Sequence, residues 1–543
     1  MENESIKRIM AYKSEMTNDR IHAATRGKWD KVIRFAIPEL GNAKTPDNYT
    51  SEGQLYTRQV SEALQGWAYG SNIDWIRIAV KGLDEEQQKD EAVRKWCQDV
   101  EQLIKETFDN SHFYQEALLF TSICFNLSTA IMYIDYDRDA GEVIFKTLDP
   151  RQCLIRFSRA QRLRLFMYEE ELDRIDAMEQ FGSECPKEIS DETLNAKRKW
   201  KFTHVVAHVS TFDVTGIKGD GEWAEFYVCD SLKRMEPISG RRLSRCPVVV
   251  WRFKRNLQSI SSWGCASPGE TGITDLMSIN SMQKSNDILA QRIAEPPITA
   301  TAGLRNINIR PSGVTYLNRG EDFQFKQFNA NGQQLILNAI TLKQERLKEI
   351  YYVNFFLIFQ QALSAGRRTA TESALIDDEK TQNMSSFSSN LVVEFLEPTI
   401  YAVYDILHEQ RLLPQEPDSI TGMEVKVDFV SQLAVSQLRA SKLTPLNRVL
   451  SLVFQFAQVD PTLLRKLDWG GIVDTAAQVE NVDTDMLTST EEYNAQQQAQ
   501  AQARAQQQDI ENQLAMLDAQ GKAYKNMSAA PEAGSPMASQ QNQ

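Results

Sequence analysis

Residues 268–297 read Pro268-Gly269-Glu270-Thr271-Gly272-Ile273-Thr274-Asp275-Leu276-Met277-Ser278-Ile279-Asn280-Ser281-Met282-Gln283-Lys284-Ser285-Asn286-Asp287-Ile288-Leu289-Ala290-Gln291-Arg292-Ile293-Ala294-Glu295-Pro296-Pro297. The pattern predicts one long helix from just after Pro268-Gly269 to Ala294. Glu270, Thr271 and Asp275 place caps and acid at its positive end. Pro296 and Pro297 stop it, because proline donates no backbone bond and the residue before a proline avoids helical geometry. At about 1.5 Å per residue this helix is roughly 36 Å long. Apolar residues open and close it, but the middle, residues 280–287, is almost entirely polar. A helix of that length with a polar waist bridges two bodies or packs on copies of itself. Two helices of an irregular α-domain are the plainer alternative.

Outward from this stretch, residues 298–332 carry Gly303, Pro311, Gly313, Gly320 and Gly332, with β-favouring Val314-Thr315-Tyr316-Leu317. A second helix is expected from about 333 to 352, with Ile336, Ile340, Leu347 and Ile350 near a 3.6-residue period. Lys343, Glu345, Arg346, Lys348 and Glu349 cover its other face.

The chain has 543 residues, enough for three or four domain-sized bodies, and its formal net charge of -13 argues against a role coating nucleic acid. Seven cysteines at metal-incompatible spacings suggest a reduced, intracellular protein. The N-terminus has no apolar signal core. Residues 117–134 lack charge, but Thr121, Ser122, Asn126, Ser128 and Thr129 interrupt them, predicting a buried helix running into a buried strand. No membrane partner is expected.

In chain order, residues 1–80 look helix-rich, and 84–107 form a long helix with Val93, Trp96, Val100, Leu103 and Ile104 on one face. Asn110-Ser111 ends it and caps the next. Residues 130–136 and 142–148 flank a hairpin signal, and further strands are expected at 153–157, 200–214, 222–228 and 247–253. An acidic helix is expected over 169–181. Residues 360–368 form a small basic loop. A helix kinked at Pro398 covers 392–410, a strand covers 424–430, and 432–479 are helical. Ala495 to Gln508 is nearly all Ala and Gln, and the last sixteen residues are small and polar.

Chemical motifs are scarce. Gly216-Ile217-Lys218-Gly219-Asp220-Gly221 lacks the ending of a phosphate loop. Asp135, Asp137 and Asp139 resemble the opening of a calcium loop, but Gly141 comes one place late and Lys146 stands where glutamate is needed. His204 and His208 alternate with apolar residues as in a strand and lack a third ligand. No nucleophile elbow appears, so neither catalytic residue, metal nor cofactor is assigned. Arg241, Arg242, Arg245, Arg252, Lys254 and Arg255 form a basic run, read first as a solvated face or a contact with an acidic neighbour, and second as a nucleic-acid contact.

With these elements in place, the chain resembles the portal, or head-to-tail connector, protein of short-tailed bacteriophages over residues 75–492. Asn110-Ser111-His112-Phe113-Tyr114 matches a helix-joining motif of that family. Residues 166–182, the Pro247-Val248-Val249-Val250-Trp251-Arg252-Phe253 strand, Trp263-Gly264-Cys265-Ala266-Ser267-Pro268, Arg368-Thr369-Ala370-Thr371-Glu372 and residues 394–398 follow in family order. Trp263 replaces the usual Tyr, and the small-residue site near Ser128 lacks the usual Gly.

The resemblance implies an α+β, helix-rich portal-type fold: an α/β wing over 1–269, stem helices at 270–294 and 333–352, and a small β-containing clip at 295–332. The wing would continue through 353–434 with a tunnel loop at about 361–369, followed by a helical crown at 435–510 and a flexible tail at 511–543. It implies a dodecameric ring around double-stranded DNA, with terminase, tail adaptor proteins, scaffold and major capsid protein as partners. In that scheme Gln361, Ser364, Gly366, Arg367, Arg368 and Thr369 face DNA. Asp275, Asn280, Lys284, Lys343, Glu345 and Glu349 belong to the stem. Pro297, Arg305, Arg310 and Pro311 belong to the clip. A terminase-type nuclease and an internal scaffold or capsid protein are the competing readings.

Overall fold

The computed structural model describes residues 2–17, 20–41, 48–73, 75–82, 90–191, 198–212, 217, 219–232, 237–256, 262–302, 304, 307–308, 314–326, 330–354, 356, 389–420, 422–423, 425–429, 444–457 and a few positions between 467 and 522. They fall in two units, 1–433 and 434–543. In the second unit the principal described element is the helix Thr444–Ala457.

The first unit is mixed α+β. It opens with helices α1 (Glu2–Thr17), α2 (Arg20–Ala36) and α3 (Glu52–Leu64), the last widening into a π-turn at Gln65–Tyr69. Helix α4 (Glu91–Asn110) starts where the Asp90 carboxylate accepts from the Ala92 amide, and it buries Val93, Trp96, Val100 and Ile104. Ser111 closes it, and the Ser111 hydroxyl accepts from the Phe113 amide to open α5 (Phe113–Leu127). The uncharged stretch is therefore a buried helix leading into strand β2 (Thr129–Asp137), and no helix among the described residues is long and apolar enough to cross a membrane.

Strand β2 pairs antiparallel with β3 (Glu142–Leu148), and Asp137 caps the turn between them by accepting from the Asp139 and Ala140 amides. That turn is a capped hairpin. On its other side β2 pairs with β9 (Val248–Arg252), giving the order β3-β2-β9. The outer edge of β3 is occupied by side chains from the start of α5. His112 Nε2 lies 2.6 Å from the Phe145 carbonyl oxygen and 3.2 Å from the Phe145 amide nitrogen, and Glu116 accepts from the Thr147 amide at 2.7 Å.

A five-stranded antiparallel sheet follows: β4 (Cys153–Phe157), β5 (Leu163–Leu172), β6 (Trp200–His208), β7 (Trp223–Cys229) and β8 (Ile238–Leu243), in sequence order. The acidic segment 169–181 departs from expectation. Glu169, Glu170 and Glu171 lie in β5, and only Arg174–Phe181 is helical (α6), followed by α7 (Lys187–Ser190). Tertiary pairing overrides local preference there, because β5 is held between β4 and β6 and its glutamates meet Lys13, Lys146 and Lys201. One face of the sheet is covered by Ile6, Ile9 and Met10 of α1.

His204 and His208 both sit in β6. Four strand residues put them about 13 Å apart, too far to share one ion. Strands β5, β8 and β1 (Ile76–Val80) were not anticipated. The last of these pairs with β12 (Val425–Phe429), which is remote in sequence.

The remaining elements are α8 (Pro268–Ala294), β10 (Ile298–Ala300), β11 (Phe323–Phe325), α9 (Ala330–Ile350) and α10 (Glu397–Glu409), which follows a second π-turn at Val392–Leu396. The bend assigned to Pro398 thus comes with this wide turn, and Pro398 sits in the first turn of the helix after it, where its missing donor costs nothing. The expected strand at 314–317 is absent. The small sheet of the excursion is instead β10 with β11. The main core joins α2–α5, β2, β9, α10 and the near ends of α8 and α9.

Candidate functional site

The long helix α8 and its partner α9 form a hairpin rooted in the core. Its root begins at Ser267, the N-cap, with Pro268 at the first helical position. Helix α8 therefore starts two residues earlier than the sequence pattern alone indicated. The Ser267 hydroxyl accepts from the Glu270 amide and donates to the Asn126 carbonyl oxygen at 2.9 Å. Glu270 reaches back to accept from the Ala266 amide and from the Ser128 hydroxyl. Burial lifts the Glu270 carboxyl's pKa, partly offset by the Ser128 hydroxyl and Lys28.

Ser128 has φ 58°, in the left-handed region that carries a penalty for residues other than glycine. A side chain at Gly264 would run into the Ser128 carbonyl, so the backbone itself is the contact surface there. Trp263 packs edge-on against Trp29 at 5.0 Å. Ser267→Ala removes both hydroxyl bonds from a fully buried site and should cost about 1–2 kcal/mol, read as a lower urea midpoint with an unchanged slope.

Above this root the two helices are tied by charge. Asp275 is buried and accepts from Lys343 Nζ at 2.8 Å, with Arg346 Nε 3.5 Å from its other oxygen. Close approach is allowed by Gly272, where a Cβ would come within 2.9 Å of Leu347. Asn280 Oδ1 accepts from the Tyr49 amide at 2.7 Å, and the Lys284 ammonium lies 5.3 Å from the Tyr49 ring centre. Glu345 pairs with Lys348 along α9, and Glu349 is exposed, its carbonyl accepting from the Tyr352 amide. Pro297 sits at the far end, where its carbonyl accepts from the Lys326 amide and closes the small sheet. The structure therefore joins Asp275 to Lys343, and Asn280 and Lys284 to Tyr49. Arg305, Arg310, Pro311, Gln361, Ser364, Gly366, Arg367, Arg368 and Thr369 lie outside the described residues.

Both helices of the hairpin carry exposed apolar side chains on the faces turned away from the core. Met277 and Ile288, eleven residues apart and so on one face of α8, are 46% and 40% exposed. Leu335 and Leu342, seven apart on α9, are 71% and 74% exposed. Inside the hairpin, Asn286 Oδ1 is buried and has no hydrogen-bond partner among the described residues.

Below the root lies a charged knot that local sequence did not reveal. Glu394, in the second π-turn, accepts from the Arg252 amide at 2.9 Å, from Arg252 Nη2 at 2.6 Å and from Arg255 Nε at 3.0 Å. Arg252 Nη1 donates to Gln161, and its guanidinium lies 4.0 Å over the Phe157 ring. Arg241 meets Glu225 and Asp135, Arg242 donates to the Ile217 carbonyl, and Arg245 meets Asp405. Most of the basic run is thus engaged by acids and carbonyls of its own chain. The two π-turns face each other through Tyr69 and Phe395, 5.5 Å apart and edge-on.

A family profile described as bacteriophage head to tail connecting protein matches residues 14–487, which include the hairpin, its root and the charged knot. The chain belongs to the bacteriophage head-to-tail connecting protein family. The connector chain is 26% identical over 528 residues to the portal protein of Salmonella phage epsilon15, covering 90% of this chain and 89% of that one. It is 22% identical over 488 residues to the probable portal protein of Bordetella phage BPP-1, covering 84% and 85%. Among solved structures, a chain of the neck of an empty GTA particle computed with C6 symmetry aligns with 76% of the connector and 89% of its own length, at 12% identity and a TM-score of 0.36.

Proposed function

We propose that the connector is a structural portal subunit: copies form a ring at one capsid vertex, giving DNA a channel and terminase and tail adaptor proteins a platform. The observation that carries this is the α8–α9 hairpin, which projects from the core with Met277, Ile288, Leu335 and Leu342 uncovered in a chain of the connector family. Neighbouring copies would cover those side chains, at about 25 cal/mol per Å² of apolar area removed from water. On this reading α8 and α9 are the stem, residues 295–332 the clip, residues 1–269 and 353–434 the wing, 361–369 the tunnel loop, 435–510 the crown and 511–543 the tail. Scaffold and major capsid protein would meet the ring in the capsid.

The net charge of -13 per copy suits a bore through which DNA slides, since each phosphate neutralised by a fixed cation adds affinity through counterion release. The protein acts by shape and charge, without catalysis, and a nuclease assay with magnesium or manganese showing cleavage would contradict that. Negative-stain images of purified protein should show rings with a central hole, and a monomer at every concentration would overturn the proposal. Arg367→Ala with Arg368→Ala should leave ring assembly intact and change DNA retention during packaging several-fold. Unchanged retention would remove these arginines from the channel.

A further inference from the structure

Resting on the ring reading, we infer that the five-stranded sheet carries both halves of a head-to-tail contact between copies. The arginine turn before β5 in one copy docks on the acidic, apolar outer face of α6 in the next.

Residues 150–168 contain Arg151, Arg156, Arg159, Arg162 and Arg164 and no Asp or Glu, within a chain of net charge -13. Three of these have local work. Arg151 pairs with Asp149, Arg156 lies over the Tyr12 ring, and Arg164 donates to Ser210. Arg159 and Arg162 are exposed, with no acidic partner among the described residues. Their turn is firmly built. The Ser158 amide donates to the Arg162 carbonyl at 2.8 Å, the Gln161 amide donates to the Ser158 carbonyl at 2.9 Å, and the Gln161 side chain is held by Arg252. The two guanidinium groups therefore stand on a fixed platform.

At the other end of the ten-residue strand β5, roughly 30 Å away, α6 presents the opposite character. Ile175 is 69% and Met178 42% exposed, flanked by exposed Asp176 and Glu179, with Glu184, Glu188 and Asp191 following. Arg174 is turned onto the Ser190 carbonyl, leaving Lys187 as the one exposed base between 173 and 191. An apolar pair rimmed by carboxylates suits arginine, whose stem covers the hydrocarbon while its fork meets the acid. Sited at opposite ends of one strand, the two patches meet only between copies. Such a contact is heterologous, and repeated with a closing rotation it generates a ring.

The test uses the full chain with Arg159→Glu/Arg162→Glu, with Asp176→Arg/Glu179→Arg, and with a one-to-one mixture of the two proteins, read by analytical ultracentrifugation. Each reversed protein by itself should need at least about tenfold higher concentration to assemble, equivalent to about 1.4 kcal/mol. In the mixture every junction regains opposite charges, and assembly should return. All four positions are solvent-facing, so circular dichroism and melting should match wild type. Rings that form normally from either reversed protein would overturn the contact and leave the ring reading intact. Monomeric wild type would overturn both. A turn-reversed protein that assembles normally but loses duplex DNA binding would make the turn a phosphate site and likewise overturn the contact.

Discussion

Glu394→Ala should destabilise the N-terminal unit by about 3–5 kcal/mol, because it strands a buried guanidinium. Arg252 and Glu394 side chains are 3% and 7% exposed, and Arg252 directs its backbone amide, Nε and Nη2 at this carboxylate. With the acid gone, Gln161 and the Phe157 ring remain as company for the cation, and neither carries charge. Removing both partners is different. Arg252→Met with Glu394→Leu should recover most of the loss, since hydrocarbon tolerates that environment. Urea unfolding followed by tryptophan fluorescence reads this unit, where Trp251 packs against Phe395 next to the pair. A single-variant loss below about 1 kcal/mol, typical of exposed pairs, would show that water reaches the pair.

The second large effect depends on pH. Glu225 bridges the two sheets, accepting from the Tyr133 hydroxyl and from Arg241 and lying 2.7 Å from His204 Nε2, while His204 stacks on Tyr227 at 4.3 Å. Burial pushes the Glu225 carboxyl up. The hydrogen bond and charge of His204, with Arg241, outweigh burial and hold it at about 2, against 4.5 ordinarily. A carboxylate depressed on folding contributes stability above its unfolded pKa and loses it as pH falls through the folded one. At 1.36 kcal/mol per pH unit, about 3 kcal/mol is present at pH 7 and disappears between about pH 4.5 and 2. Glu225→Gln should therefore be less stable than wild type by about that amount at pH 7, with the gap closing across this window. A gap that stays constant from pH 7 to 3 would mean that ionisation of Glu225 does not stabilise the fold.

What the sequence disclosed follows how local each signal was. Helix α8 was legible because Pro268, Pro296 and a caps-rich first turn mark its ends within the segment itself. The β2–β3 hairpin was legible from Asp137 to Gly141 for the same reason. Strand β1 was not, since its partner β12 lies at 425–429 and nothing near Ile76 announces it. The glutamates of β5 favoured a helix until Lys13, Lys146 and Lys201 supplied their partners from other elements. In the candidate site, the polar waist of α8 and the charged face of α9 were readable. The pairing of Asp275 with Lys343, and the Tyr49 backbone under Asn280, required the third dimension. Glu394 was noted only as the start of residues 394–398 in family order, and its partner Arg252, 142 positions away, was not readable from the sequence.

The outer margin of β3, filled by His112 and Glu116, has a bearing on how many identical chains coexist in one assembly. An open strand margin is a template for any passing chain, and crowding many of them together invites fibrous growth without a stopping point. By spending an imidazole and a carboxylate on those backbone groups, the molecule closes that route to subunit adhesion. At this margin copies could then meet only through side chains, whose shape and charge specify an angle, and a specified angle lets an array end where it began.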